Sequence, residues 1–61
     1  MKLVIGQQYS VKHGNGWYRT RYIGLDDDYH GFEPTGSAPF TIHWIKNAEP
    51  RLIKPIVKGI R

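Results

Sequence analysis

The clearest alternation of apolar and polar side chains runs through residues 17–23, between two glycines. Successive side chains of an extended strand point to opposite faces. One face would carry Tyr18, Thr20 and Tyr22, which we assign to the core. The other face would carry Trp17, Arg19, Arg21 and Ile23.

A second alternation, over residues 8–13, comes just before it and ends at the triplet Gly14-Asn15-Gly16. An Asn-Gly pair between alternating segments is a strong hairpin signal, because both residues tolerate a positive φ. We therefore expect residues 8–13 and 17–25 to form an antiparallel hairpin.

Three more strands are predicted downstream. Asp26-Asp27-Asp28 is interpreted as a turn, since neighbouring Asp side chains favour bonds to their own backbone. The strands are expected at residues 29–33, at 40–46 and from 51 onward, extended through about residue 57. In the fourth strand, Phe40, Ile42 and Trp44 would face the core and His43 the surface. Residues 47–50 would form a turn or a single 3₁₀ turn.

Together these elements predict an all-β fold. Short strands separated by turn signals, without a convincing long helix, are typical of small barrels and sandwiches. We expect one domain, a five-stranded barrel over residues 1–57, with a short basic C-terminal tail at residues 58–61. The chain has 61 residues and no cysteine, so its stability depends on the core or on association into a homo-oligomer.

Two segments resemble SH3-like barrels, with Tudor and KOW-type domains the most similar. Trp17-Tyr18-Arg19-Thr20-Arg21-Tyr22 stands in the register of a Trp-Tyr-Arg-Ala-x-Val strand, and Arg51-Leu52-Ile53-Lys54-Pro55 resembles their 3₁₀-plus-strand ending. The resemblance implies an SH3-like barrel. It does not imply recognition of methylated side chains, because the aromatic-cage segment of methyl-reading Tudor domains is absent.

The charge distribution favours an anionic partner. The formal net charge is +4, and four basic residues and no acid follow residue 50. Arginine binds phosphate and an exposed aromatic ring can stack on a base, which predicts a nucleic-acid interface. Its candidate residues are Trp17, Arg19, Arg21, Lys12, Lys54, Lys58 and Arg61. The same residues are also compatible with an ordinary solvated strand face and a solubilising tail.

The alternative function is a protein-interaction module, such as a small accessory or inhibitory protein that docks on a larger partner. Tryptophan, tyrosine and arginine also dominate the energetics of protein interfaces. No enzyme is predicted, because no nucleophile, acid–base pair or phosphate-binding loop is evident, and no metal or cofactor is expected. We predict a cytoplasmic protein, since no apolar run approaches the length of a signal peptide or a membrane span.

Overall fold

The computed structural model describes residues 2–56, which form five strands and one short 3₁₀ helix. The strands are β1 (Gln8–His13), β2 (Gly16–Asp26), β3 (Tyr29–Pro34), β4 (His43–Lys46) and β5 (Ile53–Pro55). The 3₁₀ helix is Pro50–Leu52 and leads directly into β5. The predicted all-β class is confirmed.

All five strands belong to one antiparallel sheet in the order β4-β3-β2-β1-β5. This order is compatible with an SH3-like fold. Within residues 2–56, however, β4 and β5 form the two edges and do not pair, so the sheet is not closed into the predicted barrel. The basic tail at 58–61 lies outside the described residues. Residues 2–56 contain no helix with the length and apolar character needed to span a bilayer.

The first hairpin is confirmed, but its turn lies one residue earlier than predicted. His13 pairs with Gly16, which leaves Gly14 and Asn15 as the two loop residues. Gly14 has a φ of 62° and Asn15 does not have a positive φ. The left-handed residue is therefore Gly14, for which this conformation costs little because it has no Cβ.

The core lies on one face of the sheet. Thr20 and Tyr22 of β2 are buried, which confirms the predicted orientation of that strand. The Thr20 hydroxyl donates to the Tyr9 carbonyl across β1 and β2, at 2.8 Å. The buried apolar side chains are Tyr9, Val11, Tyr22, Phe32, Ile45 and Ile53.

The predicted orientation of β4 is wrong. The strand begins only at His43, and Ile45 is 2% exposed whereas Trp44 is 45% exposed. Phe40 and Ile42 lie in the preceding loop, so the alternation read from Phe40 does not follow a strand. Phe40 reaches the core from that loop, and Trp44 faces outward.

Phe40 belongs to an aromatic group at one end of the core. Its ring lies 5.1 Å from that of His13, 5.6 Å from Tyr18 and 5.0 Å from His43. His43 is half-buried and its Nε2 lies 3.2 Å from the Lys12 carbonyl, so the prediction of a surface histidine is wrong. The loop before β4 thus packs against the first hairpin through these aromatic contacts and this hydrogen bond.

A chain of hydrogen bonds connects β2, β3 and the end of β4. His30 Nδ1 lies 2.8 Å from the Tyr22 hydroxyl, and His30 Nε2 lies 2.7 Å from Asn47 Oδ1. Because the side-chain oxygen of Asn47 only accepts, a neutral His30 carries its hydrogen on Nε2 and accepts from the Tyr22 hydroxyl at Nδ1. Among residues 2–56, every buried side-chain nitrogen or oxygen has a partner.

Candidate functional site

The solvent-exposed face of the sheet carries a group of basic side chains around one tryptophan. Trp17 lies opposite Lys12, while Ser10 lies opposite Arg19 on one side and opposite Lys54 on the other. Side chains at paired positions share a face and have Cβ atoms about 5 Å apart. We call the set Lys12, Trp17, Arg19 and Lys54 the basic face.

Trp17 and Lys54 are in direct contact. The Lys54 ammonium lies 4.4 Å from the centroid of the Trp17 ring, within the range of a cation–π interaction. Trp17 remains 39% exposed, as predicted. The contact brings a positive charge from β5 against the aromatic side chain of β2, and it covers part of the ring surface on which a base would stack.

Arg21 lies on the same side of the sheet but has an acidic neighbour. It pairs with Glu33 across β2 and β3, with Arg21 Nη1 3.7 Å from Glu33 Oε2. Both side chains are about half exposed, so the ion pair is weak. Arg21 therefore contributes less net positive charge than Arg19.

A cleft of about 300 Å³ opens at the other end of this outer face. It is lined by Asp26 and Asp27 from the β2–β3 turn, by Tyr29 at the start of β3 and by Trp44 of β4. Asp27 has a φ of 57°, a left-handed conformation that Asp tolerates in tight turns. We call these four residues the acidic aromatic cleft.

Gly31 determines how Trp44 lies in this cleft. Trp44 pairs with Gly31 across β3 and β4, and a Cβ placed on Gly31 would lie 2.7 Å from Trp44 Cζ3. The same Cβ would lie 3.0 Å from Ile23 Cγ1. The indole ring therefore rests on the bare backbone of β3, beside Ile23, and a side chain at position 31 would displace it.

The structure brings four of the seven predicted site residues together as the basic face. Arg21 is beside Glu33, and Lys58 and Arg61 lie outside the described residues. Residues 2–56 contain no cluster of three potential metal ligands. Sequence reasoning missed the acidic aromatic cleft, because it interpreted Asp26 and Asp27 as turn residues and assigned Trp44 to the core.

Comparison with known proteins finds no family model, no curated protein and no solved structure that matches this chain.

Proposed function

We propose that the protein is a non-enzymatic module that binds the phosphate backbone of nucleic acid through the basic face. The observation that carries the proposal is the meeting of three cations from three strands around Trp17. Neighbouring cations can contact phosphates along one strand, and phosphate contacts supply most of the affinity of non-specific nucleic-acid binding.

The charge around this face supports the same proposal. Lys12, Arg19 and Lys54 make no ion pair with any residue between 2 and 56, so their charges remain available to a ligand. Lys58 and Arg61 would add to the positive charge if the tail lies near β5. Because Lys54 occupies part of the Trp17 ring, we expect phosphate binding to contribute more than base stacking.

The fold and compartment belong to the same proposal. We assign the sheet to the SH3-like class, supported by its strand order and by the 3₁₀ helix that leads into β5. We place the protein in the cytoplasm, where nucleic acid is accessible and where a chain without cysteine needs no oxidising environment.

The test is a titration of labelled single- and double-stranded 20-mer oligonucleotides with protein at several salt concentrations. Binding is measured by fluorescence anisotropy. Three phosphate contacts, one for each cation of the basic face, predict that log K for the double-stranded oligonucleotide falls with log salt with a slope of about −3. Replacing Arg19 or Lys54 with alanine should reduce the magnitude of this slope by about one.

Lys46→Ala is the matched control. Lys46 is also an exposed lysine, but it lies on β4, at the opposite edge of the sheet from β5. This variant has the same net charge as Lys54→Ala and should keep the full slope. The proposal fails if neither oligonucleotide binds at micromolar protein and low salt, or if Lys46→Ala and Lys54→Ala weaken binding equally.

A further inference from the structure

We propose that the acidic aromatic cleft binds the guanidinium group of an arginine side chain presented by a partner protein. The cleft lies at the opposite end of the outer face from Lys54 and shares no residue with the basic face. The inference thus goes beyond nucleic-acid binding and assigns a second, separate site.

The aromatic rings of the cleft favour a cation. Tyr29 and Trp44 are 40% and 45% exposed, so both keep much of their surface open to a ligand. The face of an aromatic ring carries partial negative charge and attracts ammonium or guanidinium groups, and tryptophan does so most strongly. The two rings supply apolar area together with this attraction.

The carboxylates of the cleft favour the same ligand. Asp26 and Asp27 make no ion pair with any residue in the described part of the chain. Two carboxylates beside two exposed rings match a group that is both cationic and flat. They would repel phosphate, so the nucleic acid that we assign to the basic face is excluded from this end.

The site is largely formed before a ligand binds. Gly31 lets the Trp44 ring rest against the backbone of β3. The Asn47 amide donates to the Asp28 carbonyl at 2.8 Å and so attaches the β2–β3 turn to the end of β4. Fewer side chains and loops then lose freedom on binding, which lowers the entropic cost.

The chemistry of the cleft favours arginine over lysine. A guanidinium is planar, can lie flat on the Trp44 ring and can donate to a carboxylate from its edge at the same time. An ammonium is compact and more strongly hydrated, so it satisfies fewer of these contacts at once. Lys46, which pairs with Tyr29 at the border of the cleft, opposes either cation.

The experiment is a titration of the full chain with N-acetyl-arginine amide, monitored by two-dimensional ¹H–¹⁵N NMR. The indole N–H signals of Trp44 and Trp17 report the two ends of the outer face separately. We expect a saturable shift of the Trp44 signal and no shift of the Trp17 signal. The lysine analogue should bind about threefold more weakly, and the uncharged citrulline analogue should not bind.

Two sets of variants test the charges without removing an aromatic ring. Asp26→Asn with Asp27→Asn should weaken binding about fivefold, because two partly exposed ion pairs contribute roughly 1 kcal/mol. Asparagine also tolerates the left-handed conformation of residue 27. Lys46→Ala should bind the arginine analogue about twofold more tightly, and Arg19→Ala should leave the affinity unchanged.

Several results would overturn the proposal. It is wrong if citrulline shifts the Trp44 signal as arginine does, or if both tryptophan signals move together. It is also wrong if the double asparagine variant keeps the original affinity. These outcomes do not depend on the oligonucleotide titration, so the two proposals can fail separately.

Discussion

Replacing Tyr22 with phenylalanine removes a single oxygen from the Tyr22–His30–Asn47 chain. The ring itself stays, together with its edge contact to Tyr9 at 6.2 Å and its contact to Phe32 at 5.4 Å. The variant therefore isolates the hydrogen bond from the packing of the core.

The magnitude follows from what the missing hydroxyl leaves behind. His30 is only 8% exposed, so its Nδ1 would lose a 2.8 Å donor with little access to water. A buried polar group without a partner costs about 1–3 kcal/mol. Burial, and then the nearby Tyr9, raises the pKa of Tyr22, so the hydroxyl keeps the proton that it donates.

The assay is unfolding by urea and by heat, monitored by circular dichroism. A loss of about 1.5 kcal/mol should lower the Tm by roughly 6–12 °C in a domain of this size. Tyr29→Phe is the matched control, because Tyr29 is exposed and should change the free energy of unfolding by less than about 0.5 kcal/mol. If Tyr22→Phe is as stable as this control, the hydrogen-bond chain does not stabilise the fold.

Three further predictions concern the turns, the cleft and pH. Gly14→Ala should cost about 1 kcal/mol because φ is 62° there, whereas Asn15→Ala should have a smaller effect; equal urea midpoints would contradict this. Gly31→Ala should displace the Trp44 ring and change its fluorescence, and an unchanged spectrum would refute the contact. Burial lowers the pKa of His43 below its ordinary 6.5, outweighing the opposing effect of the hydrogen bond that the His43 ring donates to the Lys12 carbonyl. The unfolded chain therefore binds the proton more tightly, and stability should be complete above pH 6.5 and fall below it. His43→Gln should flatten this pH dependence of the urea midpoint, and an unchanged slope would assign it to other groups.

The local pattern was sufficient to predict β1, β2 and the side of β2 that faces the core. Both strands are long, alternate clearly and are joined by a two-residue turn. The sequence next to each residue is therefore enough to predict its secondary structure and the face to which its side chain points. β4 was mispredicted because its orientation depends on a partner distant in sequence. Trp44 faces outward since Gly31 leaves room for its ring. The alternation of apolar and polar residues along the chain does not show that these two residues pair.

Part of the candidate site could likewise be predicted from local sequence, and part of it depends on contacts between distant residues. The side of β2 that carries Trp17 and Arg19 follows from alternation alone. That Lys54 reaches Trp17 follows only from the pairing of β5 with β1, which the sequence does not specify. The cleft also escaped prediction, because it needs the β2–β3 turn and β4 to lie side by side.

The pairing of β1 with β5 also has a consequence for the order of folding. β1 to β4 form a meander in which each strand pairs with the next, and such local contacts form early at small entropic cost. Val11 pairs with Ile53, 42 positions further along the chain, so this contact must close a long loop. Ile53 is a buried core residue, and the core is therefore complete only when this last strand docks. We expect that docking to limit the folding rate, so substitutions in the contact between β1 and β5 should slow folding.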